Sequence, residues 1–184
     1  MDVKRLQIPD LLLLSSQRHG DERGFFSEVF RVDVFERLGV TAPFVQDNHV
    51  RSAQRGVLRG LHYQTPPHAQ GKLVRCARGA ILDVAVDIRR GSSTFGQHVA
   101  VELSEADWRQ IWVPPGFAHG YITLSPECEV IYKVTAYYEP ASERGIAWDD
   151  PALGIDWGMT AAQIVLSAKD QNNPTLAEVD VPFE

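Results

Sequence analysis

The chain has 184 residues, 44% of them hydrophobic and 23% charged, which excludes a disordered or membrane-embedded composition and suits one globular domain with a full core. Its 18 Lys and Arg against 24 Asp and Glu leave a formal charge of −6, which argues against a nucleic-acid backbone as partner but not against a small anion held by a few converging cations. Two cysteines, Cys76 and Cys128, are too few for a disulfide framework and read as small buried hydrophobes. No apolar run approaches the ~18 residues of a membrane span, and the N-terminal one is broken by Pro9 and Asp10 without a cleavage pattern, so a cytoplasmic protein without membrane contact is expected.

Residues 8–14 have the uniform apolarity of a strand covered on both faces or paired with a second subunit; left uncovered, Leu11 to Leu14 would be a sticky edge, which argues for a dimer. The polar loop 19–24 leads into a strand over 25–30, where Phe26, Glu28 and Phe30 share a face. A carboxylate between two aromatics needs a partner if that face is buried. Asp33, Glu36 and Gly39 mark a short helix with an Asp cap, an acid at the third position and a glycine stop. Residues 44–50 return to extended structure, with Gln46 and Asn48 on one face, a polar pair suited to the wall of a pocket.

After a turn at 52–56, residues 57–64 form a strand. Its alternation puts Leu58, Gly60, His62 and Gln64 on one face and Arg59 on the other, unless a bulge intervenes. Further strands follow at 72–77, with Lys72, Val74 and Cys76 aligned, and at 80–88, with Leu82, Val84, Val86 and Ile88 opposite Ile81, Asp83, Ala85 and Asp87. Residues 97–103 and 110–113 are extended, joined through a turn capped by Ser104 and Asp107, and Pro114-Pro115-Gly116 breaks the chain before 117–124, which carries His119. Over 127–137 the alternation is cleanest: Cys128, Val130, Tyr132 and Val134 on the core side point the Tyr132 hydroxyl inward. Many short strands between Gly and Pro turns, with almost no helical periodicity, predict a single all-β domain over 1–184, an antiparallel sandwich or barrel with short peripheral helices. The turn-rich segment from residue 143 onward is expected to cross a barrel mouth rather than add a layer.

The polar residues predicted to face inward suggest proton chemistry. Imidazole, with an ordinary pKa near ~6.5, serves as a base at neutral pH when a carboxylate fixes its tautomer. Tyr132, facing His62 across the interior, would supply an acid that can protonate a strongly basic enolate. An inward Lys72 calls for a carboxylate, a phosphate or a developing oxyanion, since a buried ammonium is costly alone. Arg59 and Arg23 are candidates for phosphate through their rigid fork of donors. A metal reading uses the same groups, with His62, His119 and an acid as a facial triad, but His62 lacks the second histidine of a His-x-His pair.

In order and spacing, the segments RGFFSEVF, VQDNHV, VLRGLHYQ, QGKLVRCARGAILDVAVDIRRGSSTFG, IWVPPGFAHGY, EVIYKVTAYY and LSAKD closely resemble the dTDP-4-dehydrorhamnose 3,5-epimerase family of the cupin superfamily, from about residue 8 to 176. The resemblance implies a homodimeric jelly roll, its N-terminal strands exchanged or paired across the dimer. It implies action on dTDP-4-dehydro-6-deoxy-D-glucose, with neither metal nor redox cofactor. It makes His62 the base, Asp170 the acid that orients it, Tyr132 the acid on the opposite sugar face and Lys72 the enolate stabiliser. Arg59 and His119 would line the same pocket, Gln46 and Asn48 its wall, and Tyr138 would pack against the base. Arg23 would reach the diphosphate and Glu28 the thymine end, with Phe26 in the same binding set, in the neighbouring subunit's site. Two departures are possible: Gly158 stands where many members carry proline, and relatives with this residue set invert only one of the two centres.

Overall fold

Strands dominate because branched and aromatic residues alternate over short runs that Gly and Pro keep interrupting. The structure, a computed structural model, describes residues 1–184. In chain order the elements are β1 (Asp2–Arg5), β2 (Leu12–Ser15), β3 (Arg18–Asp21), β4 (Gly24–Ser27), α1 (Val32–Arg37), β5 (Gln46–Ser52) and β6 (Leu58–Gln64). They continue with β7 (Lys72–Arg78), β8 (Ala80–Asp87), β9 (His98–Ser104), β10 (Arg109–Val113), β11 (Phe117–Thr123), β12 (Cys128–Val134) and β13 (Glu143–Gly145). One sheet runs β1-β2-β10-β7-β12-β5 and the other β13-β6-β11-β8-β9, with every strand pair antiparallel; β3 and β4 pair only with each other. No helix is long and apolar enough to cross a membrane.

Three apolar clusters follow from this layering. Leu13, Val74, Cys76, Ile111 and Val130 of the first sheet, with Leu11 just before it, meet Ile81, Ala85, Val99, Leu103 and Phe117 of the second, and both free cysteines lie buried in that layer. On the outer face of the first sheet, Leu12, Leu14, Leu73 and Trp112 are covered by Phe35 of α1, with Phe30 and Phe44 around it. Fully burying side chains of this size is worth about 1.5–3 kcal/mol each. On the outer face of the second sheet, Val84, Val86 and Ile88 are covered by Leu153, Trp157, Leu176 and Val181.

The chain beyond β13 therefore does add a layer, contrary to the expectation that it only crosses a mouth, because the second sheet's outer face is as apolar as its inner one. The run 8–14 also divides: Leu6 N–H donates to the Leu11 carbonyl and Leu11 N–H to that of Ile8, closing a turn around Pro9, so only Leu12–Ser15 is strand. Leu11 to Leu14 are buried within the chain itself, and their apolarity needs no second subunit. The cap of α1 is Arg31 rather than Asp33, which sits in the first turn and accepts from both Arg31 and Arg37. The strand over 25–30 ends at Ser27, so Phe30 turns into the core while Glu28 is exposed beside Arg31 and has no buried face to serve. At Gly158 the backbone has φ +68, which proline cannot adopt, and Trp157 beside it donates to the Trp148 carbonyl, away from the expected proton carriers.

The pairing of β6 with β11 carries the one irregularity that matters for the site. His119 lies opposite His62 but Tyr121 lies opposite Arg59, so two steps along β11 match three along β6. This bulge rests on two glycines in contact: a Cβ on Gly60, whose φ is +142, would stand 2.5 Å from the Gly120 Cα. Gly60→Ala is expected to destabilise the fold by about 3 kcal/mol, seen as a lower urea midpoint at unchanged slope. A change below about 1 kcal/mol would show that β6 and β11 tolerate separation there.

Candidate active site

The bulge turns Arg59 and His62, three residues apart, toward one cavity of about 500 Å³ between the sheets, where simple alternation would have separated them. The second sheet supplies His62 and Arg59 from β6 and His119 from β11; the first supplies Lys72 from β7 and Tyr132 from β12. Lys72 lies opposite Val134 and Val74 opposite Tyr132, so Lys72 and Tyr132 stand on the same inward face of neighbouring strands. Imidazole and phenol thus enter the cavity from opposed walls.

His62 Nε2 donates to Asp170 Oδ1 at 2.6 Å, which leaves Nδ1 as the free basic nitrogen, since a carboxylate can only accept. Asp170 is almost fully buried, and its N–H donates to the Ser167 hydroxyl. Burial works to raise its pKa, but the hydrogen bond and charge of His62, with Ser167 and Lys169, hold the carboxyl below its usual range. His119 Nε2 lies 2.9 Å from the buried Asp83 carboxylate. His62 and His119 each have their own acid, and no three His, Cys, Asp or Glu side chains gather as a metal-binding group, so the facial triad is not assembled.

Lys72 is surrounded by protein while still open to the cavity, and burial pulls its pKa down to about 8 against the charges of Asp83 and Glu143. Its ammonium donates to the His62 carbonyl at 3.2 Å and forms no ion pair. Arg59, exposed at the rim, bonds only Ser52 Oγ at 3.5 Å. Burial also pushes the Tyr132 phenol up, with the Arg59 charge pulling the other way and Glu143 adding to the rise. The cavity therefore offers two unpaired cations beside a carboxylate-oriented imidazole and a phenol that holds its proton.

Of the residues predicted from sequence, His62, Tyr132, Asp170, Lys72, Arg59, His119 and Tyr138 share this cavity. Gln46 and Asn48 do not line it: Gln46 Nε2 donates to Asn48 Oδ1, and Gln46 Oε1 accepts from the Tyr138 N–H, so they brace the rim instead. Arg23, Phe26 and Glu28 stand apart on or beside the exposed β3–β4 hairpin, with Arg23 paired to Asp21. Sequence reasoning missed Asp83, Tyr121, Glu143 and Lys169. Asp83 left a signal, an acid between inward Ile81 and Ala85. Tyr121 left less; its buried hydroxyl has no partner.

Two antiparallel sheets enclosing an imidazole–carboxylate pair, a phenol and an unpaired ammonium define a jelly-roll protein equipped for acid–base chemistry on an anionic ligand. The chain belongs to the dTDP-4-dehydrorhamnose 3,5-epimerase family, whose model matches residues 5–178. The dTDP-4-dehydrorhamnose 3,5-epimerase of Salmonella typhimurium is 53% identical over 177 residues, 96% of each chain. That of Sinorhizobium fredii is 50% identical over 184 residues, 100% of this chain and 94% of the relative. The solved dTDP-6-deoxy-D-glucose-3,5-epimerase of Legionella pneumophila, in complex with dTDP-4-keto-L-rhamnose, matches with a TM-score of 0.95 at 48% identity, covering 100% of this chain and 98% of that one.

The depressed pKa of Lys72 has a consequence for stability. A folded value of about 8 against 10.5 for the free side chain means that the unfolded chain binds more protons between them, so this group's contribution to stability rises with pH across that window. Lys72→Met is therefore expected to be more stable than the parent at pH 7, with the gap closing by on the order of 2 kcal/mol by pH 10. Urea unfolding at several pH values measures this; a pH-independent gap would mean that the ammonium is not desolvated.

Proposed function

We propose that the chain inverts C3 and C5 of dTDP-4-dehydro-6-deoxy-D-glucose, giving dTDP-4-dehydro-L-rhamnose, with His62 as base and Tyr132 as acid. The observation that carries the reading is the placement of the His62–Asp170 pair on one wall of the cavity and of Tyr132 and Lys72 on the other. The C4 ketone acidifies the hydrogens at C3 and C5. His62 removes one, through the nitrogen that Asp170 leaves free, and negative charge develops on the C4 oxygen. Lys72 meets that charge as an ammonium without a carboxylate partner; a single preorganised donor of this kind is worth about 3 kcal/mol in comparable oxyanion sites. Tyr132 returns a proton from the opposite face, and the centre inverts. Once His62 has released its proton to solvent and Tyr132 has regained one, repetition at the second carbon completes the product. The unpaired Arg59 guanidinium at the rim suits the diphosphate.

In heavy water the product is expected to carry deuterium at both C3 and C5, and His62→Ala to abolish exchange while still binding dTDP. Label at one carbon alone would replace double inversion by a single-centre epimerisation of a related dTDP-4-keto-6-deoxysugar. Exchange surviving in the variant would remove His62 as the base.

The reading includes a homodimer. The β3–β4 hairpin holds Phe25 and Phe26 with more than half their surface exposed, and places Arg23 away from its own chain's cavity. A second copy gives these side chains a site to complete. Light scattering is expected to give twice the mass of the chain, and mixing His62→Ala with Arg23→Ala to restore activity, since each mixed dimer then holds one intact cavity served by an intact hairpin. A mass equal to one chain, or no recovery on mixing, would overturn it.

A further inference from the structure

We propose that Trp108 is a positioning residue, the anchor that fixes the direction in which the β3–β4 hairpin leaves its own chain and so aims Arg23 at the second copy's cavity. The inference rests on the homodimer reading above and extends it to a residue outside the expected set. The hairpin needs such an anchor, because β3 and β4 pair only with each other and no backbone hydrogen bond ties residues 18–27 to either sheet. An isolated two-stranded hairpin is marginal in water, so side chains must hold it.

They converge on one ring. The register sets Arg18 opposite Ser27 and Gly20 opposite Phe25, which puts Arg18, Phe25 and Ser27 on one face and His19 and Phe26 on the other. Trp108, immediately ahead of β10, meets the first face: its Nε1 donates to Ser27 Oγ at 2.9 Å, and its ring stands edge-on to that of Phe25, with centroids 5.0 Å apart. The Arg18 guanidinium lies over the Phe25 ring at 5.5 Å and the Trp108 ring at 5.6 Å, and it donates to the carbonyls of Glu105 and Ala106 in the turn that carries Trp108. Phe26, on the far face, is left free.

Trp108 is itself firmly set. Its φ is +58, a left-handed conformation rare for a bulky aromatic residue, and strain of that kind persists only where the surroundings impose it. Here they do: the Trp108 N–H donates to the Ser104 carbonyl, Asp107 accepts from the Arg109 N–H, and the Arg75 guanidinium of β7 lies 5.5 Å over the indole. Two residues on, the buried Gln110 side chain donates to the Val29 carbonyl at 2.7 Å and fixes the root of the hairpin. Core burial does not explain this assembly, since Phe25 keeps more than half its surface exposed. It holds an exposed arm at a set angle.

Trp108→Gly tests the anchor, because it removes the indole at a backbone angle that glycine adopts freely. It is expected to speed native-state amide exchange about tenfold or more in residues 18–27 while leaving residues 110–113 unchanged, and to lower kcat/KM for the sugar about 30-fold. Trp108→Phe, which keeps a ring against Phe25 but loses the donor to Ser27, should cost only about threefold. The subunit through which the loss acts is the deciding result. Mixed with His62→Ala, Trp108→Gly should regain activity, because the His62→Ala chain lends an intact hairpin to the other chain's intact cavity; mixed with Arg23→Ala it should not, because both hairpins are then impaired. Recovery with Arg23→Ala would place the effect in the variant's own cavity and overturn the anchor. So would no recovery with either partner, unchanged amide exchange in residues 18–27, or a kcat/KM within about twofold of the parent. Should His62→Ala and Arg23→Ala fail to complement each other, the homodimer reading falls, and the amide-exchange arm still decides the anchor.

Discussion

One hydrogen bond, 2.6 Å between His62 and Asp170, joins a central strand to a segment 108 residues further along the chain. The proposed acid–base chemistry depends on that closure. Asp170 lies in the chain beyond β13, which wraps the outer face of the second sheet and buries Trp157, Leu153 and Leu176 against Val84, Val86 and Ile88. The apolar wrap provides the free energy, and the polar contact at its edge selects the geometry. A carboxylate desolvated this far would be costly unless paired, so the imidazole and the acid stabilise each other in the state that leaves the second ring nitrogen available.

The distribution of paired and unpaired charge makes the same point. Asp83 holds His119, Asp170 holds His62, and Glu143 holds Lys169, whereas Lys72 and Arg59 are left without carboxylates. Uncompensated cations persist in a partly enclosed cavity at a cost to the fold. An anionic ligand, with a diphosphate at the rim and charge growing on a carbonyl oxygen inside, would offset that cost at the moment of reaction. The chain's overall charge of −6 is irrelevant to this local field.

Much of the sheet architecture was legible in the alternation. The strands around His62, Lys72, His119 and Tyr132 and the inward direction of the Tyr132 phenol follow from period-two patterns between Gly and Pro breaks, and the Ser104–Asp107 turn forms with reciprocal bonds between side chains and backbone N–H groups. Alternation failed where backbone departs from regularity. The bulge that unites Arg59 with His62 depends on Gly60 meeting Gly120, and a strand's own pattern does not reveal which partner residue it will touch. Gln46 and Asn48 share the expected face, but alternation did not show that they would bond each other and a neighbouring N–H at the cavity's edge.

By itself, then, the sequence determined the all-β class, the inward faces and, through seven segments in register, the family, because these depend on local residue pattern and order. It left undecided which polar side chains meet. Asp170 was recognisable only by resemblance, and Glu143, Lys169 and Asp83 carried little or no mark of their partners. Those pairings join residues distant in sequence, and their geometry exists only after the two sheets have packed and the terminal segment has closed over them. Only the tertiary structure decided them, since a hydrogen bond of 2.6 Å depends on the position of a whole layer and not on the residues at its ends.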